Sequence, residues 1–258
     1  MKILDKMRLD GKAAFITGGA RGIGKCLAYG LAEAGADIVI ADIDMAEAEK
    51  TAAAIAADTG VRAIAIRCNI TVQADVDGLI ERMMQEFGHV DIACCNAGIC
   101  IDIPAEELSF ADWYKVIDIN LNGTFRTAQA AGKVMLQQGK GSIICTASMN
   151  SRICCVPQPE SAYNASKAGV VMLVKSLAVE WAARGVRVNA ISPGYMETEL
   201  VTKSPELAPL IEGWKQLSPM RRIGNPNELQ SIAVYLAGDT SSFTTGAEFT
   251  IDGAYTCF

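Results

Sequence analysis

Histidine is almost absent from these 258 residues; His89 is the only one. That scarcity removes reaction classes. A Ser-His-Asp hydrolase would have to be assembled on His89, which lies in "EFGHVDIACC", a short helix-to-strand connection with no nucleophile motif around it. A zinc or iron dehydrogenase would need more imidazole ligands than one. The expected chemistry is therefore free of a protein-bound metal, and His89 is expected to be a solvated loop residue. No apolar run reaches the ~18–20 residues of a membrane span. The N-terminus shows no apolar run followed by a small-residue cleavage site, so no secretory signal is read and a cytoplasmic location is expected. There is no basic tract and the net charge is −6, which argues against nucleic acid or an anionic membrane as the main partner. Repeats, low-complexity segments and linkers are missing too, so residues 1–258 are expected to form a single domain.

Half the residues are hydrophobic, which excludes disorder, and the length suits one large α/β domain. The nine cysteines are odd in number and scattered through apolar stretches. Reduced thiols fit that usage better than a disulfide framework. The adjacent pairs Cys94-Cys95 and Cys154-Cys155 have no metal-ligand spacing and no histidine nearby, and read as small apolar fillers.

Short, nearly all-apolar runs alternate with amphipathic stretches. The runs at 13–17, 37–41, 62–68, 91–95, 142–147, 187–192 and 248–252 read as strands covered on both faces. Helices are expected near 23–34, 46–58 and 73–87, over a long region 110–138, over the segment following "SAYNASKAG", and from Asn225. There Pro226 takes the first position and Glu228 closes a capping box. This order predicts a parallel, doubly wound, Rossmann-like sheet of about seven strands with helices on both faces. The longest interruption, 193–224, leaves the end of the sixth strand and is a candidate lid over a site there.

Two stretches carry chemistry. "TGGARGIG", Thr17 to Gly24, joins the first strand to the first helix; glycines there let a pyrophosphate approach the helix N-terminus. Asp42 follows 24 residues after Gly18, at the end of the second strand, where a carboxylate can accept both hydroxyls of an adenosine ribose and would repel a 2′-phosphate. Arg21 pulls the other way, since a cation in the turn could meet that phosphate. Asp42 would be the closer group, so NAD is favoured. The second stretch, "SAYNASKAG", puts Tyr163 and Lys167 one helical turn apart. They are either a surface pair or a proton donor with the charge that tunes it. Ser148, at a strand end, is either a buried hydroxyl or a group for substrate oxygen.

Together these residues resemble the short-chain dehydrogenase/reductase family over essentially the whole chain. "TGGARGIG" is similar to its cofactor turn, "NAG" (96–98) to its sheet-stabilising motif, and "PGYMET" (193–198) to its nicotinamide-carboxamide segment. The resemblance implies a catalytic set of Asn120, Ser148, Tyr163 and Lys167. Tyr163 would give and take the proton, Lys167 would lower its pKa, Ser148 would hold the substrate oxygen, and Asn120 would hold a relay water. It implies cofactor contacts from Gly18, Arg21, Gly22, Ile23, Gly24, Asp42, Asn69, Ile70, Asn96, Ala97, Gly98, Tyr163, Lys167, Pro193, Gly194, Met196 and Thr198. Substrate contacts would come from Ser148, Asn150, Cys155, Tyr163, Gly194 and Tyr195. Departures are Asn69 and Cys95, where an acid and an asparagine are common, and a Ser148–Tyr163 loop about two residues longer than usual. That loop and the ending "IDGAYTCF" resemble the sugar-alcohol and ketose subgroup (mannitol, galactitol, arabinitol and sorbitol/sorbose enzymes). Asn150, Arg152 and Glu197 suit a polyol. A 3-oxoacyl or hydroxysteroid reductase and a silent dinucleotide sensor remain as alternatives. The family commonly forms tetramers, and "TFRTAQAAGKVML" and "VVMLVKSLAVEWAA" are apolar enough for a second buried face.

Overall fold

A computed structural model describes residues 2–203 and 207–257. Seven strands form one sheet: β1 (Ala13–Thr17), β2 (Asp37–Asp42), β3 (Ala63–Arg67), β4 (Ile92–Cys95), β5 (Gly141–Thr146), β6 (Val186–Pro193) and β7 (Glu248–Ile251). Their order is β3-β2-β1-β4-β5-β6-β7 and every pairing is parallel. The helices are α1 (Ile3–Lys6), α2 (Gly22–Glu33), α3 (Met45–Thr59), α4 (Gln73–Phe87), α5 (Phe110–Ile117), α6 (Thr124–Gln138), α7 (Ser161–Trp181), α8 (Glu199–Lys203), α9 (Ala208–Leu217) and α10 (Gln230–Ala237).

Alternate residues of each strand enter opposite cores, which is why the strands are apolar throughout. Phe15, Val39, Ala93, Ile143 and Val188 pack with Leu79, Met83, Met135, Val174 and Leu177 from α4, α6 and α7. Ile16, Ile38, Ile40, Ile92 and Ile144 pack with Leu27, Leu31, Ile55 and Leu236 from α2, α3 and α10. The order in which strands are added reverses between β1 and β4, all strands keeping the same direction. Open sheets of this kind bind ligands in the crevice there, beyond the strands' carboxyl ends.

Three elements differ from the sequence reading. The region 110–138 is not one helix. A π-helical turn, Asp118–Gly123, separates α5 from α6. Thr124 and Thr127 hydroxyls donate to the Asn120 and Gly123 carbonyls at 2.7 and 2.8 Å, which meets the backbone acceptors at this irregularity. The segment 193–224 carries α8 and α9, apart from residues 204–206, which lie outside those described. The capping box of Asn225 and Glu228 is present, but it opens a 3₁₀ turn, Pro226–Leu229, and α10 begins only at Gln230. His89 is not simply solvated: its Nδ1 lies 2.6 Å from the Asp91 carboxylate.

Candidate active site

The glycine turn is built by what its residues lack. Gly18 and Gly22 adopt φ of 63° and 55°, in the left-handed region. A Cβ on Gly24 would stand 2.2 Å from the Gly18 carbonyl oxygen, and one on Gly18 would stand 2.9 Å from the Ala97 Cα. Asn96 fastens this turn to the sheet. Its Nδ2 donates to the Thr17 and Gly18 carbonyls at 3.1 and 3.3 Å, and its Oδ1 accepts from Thr146 at 3.0 Å. The Thr17 hydroxyl oxygen in turn accepts the Asn96 and Ala97 N–H groups. One amide thus ties β1 to the ends of β4 and β5. The first turn of α2 has no side-chain cap and no acid, so its amides are left for an anion. Across the turn, Thr198 lies within 3.7 Å of where a Gly22 side chain would be. Ile23 follows as the first apolar residue of α2.

Asp42 ends β2, half-buried, with its two oxygens accepting the Ala20 and Asp44 N–H groups at 3.1 and 3.0 Å. Arg21 is drawn away to Asp44 at 2.8 Å and Glu47 at 3.7 Å. Asn69 folds back on itself. Its Oδ1 accepts the Thr71 N–H and hydroxyl, leaving only its amide nitrogen for another partner. Buried Ile70 fills the space above Gly123, where a Cβ would come within 2.6 Å of its Cδ1.

Asn120, Ser148, Tyr163 and Lys167 are brought together. The Lys167 ammonium is buried, donates to the Thr146 carbonyl at 2.8 Å, and lies 5.6 Å from the centre of the Tyr163 ring. A Cβ on Gly98 would meet both Asn120 Oδ1 (3.2 Å) and Lys167 Nζ (3.4 Å), so the bare glycine makes their approach possible. Fully buried Asn120 accepts from Ile99 N and donates to Ile99 O, each at 2.8 Å, and donates to Ser166 at 3.0 Å. Burial pushes the Tyr163 phenol above a free phenol. A hydrogen bond with Ser148 draws it back, and Cys100, Glu160 and Cys155 push it further up. Burial lowers Lys167 to about 8. Burial is the largest influence at both residues, raising the phenol and lowering the ammonium.

Sequence reasoning missed Glu160. It precedes α7, where an acid reads as an ordinary surface residue, yet it is 8% exposed. Asn150 Nδ2 donates to its Oε2 at 2.6 Å and Gln158 Nε2 to its Oε1 at 3.1 Å. Asn150 also donates to Asn164, and its Oδ1 accepts from Ser148 at 3.3 Å and from Cys155 at 3.2 Å. The Asn150 and Cys155 side chains are thus engaged inside the protein. Arg152, expected to serve a polyol, is paired with Glu248 at 2.9 Å.

Tyr195 stacks on Trp214 of α9, with ring centres 3.9 Å apart, and meets Tyr255 edge-on. Tyr195 and Trp214 both donate to Gln158 Oε1, at 2.8 and 3.2 Å. Pro193 ends β6 opposite Ile251, and Gly194 is pressed against the Asp252 backbone, with 2.7 Å left for a Cβ. Met196 is buried against Gly224. These three anchor the base of the 193–224 segment.

Residues 18–256 match the family model described as enoyl-(acyl carrier protein) reductase. A probable NADP-dependent mannitol dehydrogenase of Yarrowia lipolytica is 42% identical over 261 residues, covering 99% of this chain and 91% of that protein. Galactitol 2-dehydrogenase of Rhizobium johnstonii is 39% identical over 260 residues, covering 100% of both. Among solved structures, a short-chain type dehydrogenase/reductase from Mycobacterium marinum superposes with a TM-score of 0.96 at 43% identity over 100% of each chain.

Proposed function

The chain belongs to the short-chain dehydrogenase/reductase family, and on that footing we propose that it moves a hydride between NAD and the alcohol carbon of a sugar alcohol/ketose pair. The observation that carries this is the meeting of Ser148, Tyr163 and Lys167 beside an open glycine cradle. The cradle fits a dinucleotide: its close Gly18–Gly24 approach leaves no room for side chains, and uncapped α2 amides face out of it. Gly18, Gly22, Ile23 and Gly24 would hold the pyrophosphate, Asp42 the adenosine ribose, and Asn69 and Ile70 the adenine. Ala97, Gly98, Pro193, Gly194, Met196 and Thr198 would border the nicotinamide half. When bound, the nicotinamide supplies or removes the hydride and, oxidised, carries a positive charge.

The chain's own residues handle the proton. With its pKa raised by burial, Tyr163 is fully protonated at neutral pH and is poised to donate to a ketone oxygen. Ser148, whose hydroxyl acts on that phenol, would hold the same oxygen. In the oxidative direction Tyr163 must accept a proton, and the cost of its anion falls when Lys167 is charged. Asn120 fixes the Ile99 backbone and the Ser166 hydroxyl, so it orders the path behind Lys167. The names of the mannitol and galactitol relatives support a polyol. So does the hydrogen-bonded polar cluster of Gln158, Glu160 and Tyr195. Residues 193–224 would act as the lid, with Tyr195 and Trp214 on its inner side.

A homotetramer is proposed as well. On α7, Ala165, Ala168, Met172 and Val179 are exposed at helical spacing, and Phe110, Tyr114 and Phe125 are exposed on α5 and α6. β7 is an open sheet edge beside the exposed Phe243. A cytoplasmic setting fits the free thiols, and no helix among the described residues is long and apolar enough to cross a membrane.

The test is Tyr163→Phe, assayed with a polyol panel and a hydrophobic ketone panel. Polyol turnover should fall at least ~10² while dinucleotide binding persists. Unchanged turnover would refute Tyr163 as acid/base, and a wild type active only on hydrophobic ketones would refute the polyol reading.

A further inference from the structure

Glu160 stands three residues before Tyr163, and its charge acts on that phenol. Asn150 bridges the Glu160 carboxylate at 2.6 Å and the Ser148 hydroxyl at 3.3 Å, so a substrate held by Ser148 is within reach of the Glu160 field. The hydrogen bonds around it run one way. Trp214 can only donate, so Gln158 must turn its oxygen to Trp214 and Tyr195 and its NH₂ to Glu160. On the other side, Asn150 gives its NH₂ to Glu160 and turns its oxygen to Ser148 and Cys155. Every dipole in the chain points toward one carboxylate, which suits an ionised acid. Among the described residues no lysine or arginine pairs with Glu160, and Lys167 is held by the Thr146 carbonyl. Asp102 adds a second negative charge, linked through the Cys100 thiol, whose single S–H can donate to either acid, at 3.2 or 3.6 Å. The Glu160 carboxyl is itself raised, by burial first and then by Asp102, as expected where no cation balances the site.

We propose that Glu160 is a specificity-determining residue that reserves this pocket for neutral polyhydroxy substrates and turns away sugar acids. The proposal deepens the polyol reading above and rests on it. A neutral polyol offers hydroxyl donors to an acceptor-rich wall. An onic acid of the same length brings a carboxylate into a field of its own sign, which no lysine or arginine paired with Glu160 offsets. The selection is repulsive, so it shows in binding more than in the chemical step.

The experiment compares galactitol and mannitol with galactonate and gluconate as substrates. It also measures each onic acid as an inhibitor of whichever alcohol the enzyme oxidises. Wild type should favour the polyols by about tenfold or more in kcat/KM. Glu160→Gln keeps the shape and an acceptor for Asn150. It should strengthen onic-acid binding by about tenfold, through KM or Ki, relative to the polyols. Asp102→Asn, outside the Gln158–Asn150 chain, should act in the same direction and less. Should Glu160→Gln prove unstable, Asp102→Asn carries the comparison. Equal weakening toward neutral and anionic ligands in both variants would show a structural role only and overturn the proposal. So would a wild type that binds onic acids as well as polyols. A wild type without polyol turnover would sink the polyol reading alone, because the inhibition arm still reads the charge effect.

Discussion

On the β1–β4 side of the sheet the site is made of backbone. Gly18, Gly22 and Gly24 matter through atoms they do not have, and Asn96 only fastens the result. On the β5–β7 side the site is made of side chains. A hydrogen-bonded run from Trp214 through Gln158, Glu160 and Asn150 reaches Ser148, and Tyr163 and Lys167 stand beside it. The difference separates two kinds of fragility. The first half is broken by adding atoms, since packed backbone has nowhere to go. The second is broken by removing them, since each loss orphans a buried donor or acceptor.

Gly24→Val is the sharpest way to break the first half. Its side chain would meet the Gly18 carbonyl, at 2.2 Å already for the Cβ, and the Asn96 amide at 2.6 Å. Neither can retreat, because Asn96 also serves Thr146. We expect about 3 kcal/mol of lost stability by denaturant unfolding, the upper end of overpacking costs, together with loss of dinucleotide binding in a fluorescence titration. A variant that keeps both would mean that the turn is loose, and the contrast between the halves would fall.

Alkali should set Lys167 against the buried thiols of both halves. Cys68 and Cys94, in the first half, are pushed by burial to about 12, and Cys95 is raised well above 9.0 by its hydrogen bond to Cys145 and by burial. Above pH ~9 the unfolded chain sheds these thiol protons while the fold retains them, so stability falls with pH. Lys167, in the second half, is lowered to about 8 from 10.5. From pH 8 to 10.5 the unfolded chain holds a proton there that the fold has released, so this group alone makes stability rise with pH. At up to ~1.4 kcal/mol per pH unit each, the raised thiols, which include Cys100 and Cys155 in the second half, outweigh one lysine, leaving a net loss of stability above pH ~9. Urea midpoints between pH 8.5 and 10 check this. In Lys167→Met the decline should steepen, and an unchanged slope would mean that the lysine is not titrating as described.

The same contrast explains what could be read in advance. Strand positions followed from unbroken apolar runs, and the glycine turn from residues whose spacing is itself the signal. All seven strands lie within a residue or two of their expected places. Glu160 was invisible because nothing local marks it. An acid just before a helix is commonplace, and only the tertiary approach of Asn150, Gln158 and Cys100 buries it. Asn150 was read as free for substrate for the same reason, since its partners at Glu160 and Asn164 are 10 and 14 residues away. The π turn at Asn120 was missed because one extra residue barely disturbs a helical pattern, while its stabilising threonines look like ordinary helix residues. The burial of Tyr163 and Lys167 was not legible either, because spacing gives proximity and says nothing of desolvation.

The smallest expected effect tests whether any side chain governs the backbone-built half. Asp42 is the candidate. Its carboxylate is fixed by two N–H groups at the end of β2, and a 2′-phosphate on the adenosine ribose would face it. Arg21, the one cation in the glycine turn, is held by Asp44 and Glu47 and is not free to compensate. NAD should therefore be preferred, although the Yarrowia lipolytica relative is named for NADP. Asp42→Ser keeps a hydroxyl acceptor for Ala20 or Asp44 and removes the charge. It should shift the NAD-to-NADP ratio of kcat/KM by about tenfold toward NADP, mostly through KM. Adding Asp44→Asn releases Arg21 from its shortest ion pair and should carry the ratio further. Steady-state kinetics with both dinucleotides at fixed polyol read all three proteins. A wild type that uses NADP as well as NAD, or an Asp42→Ser ratio that does not move, would place cofactor choice outside Asp42 and leave the first half with no selective side chain.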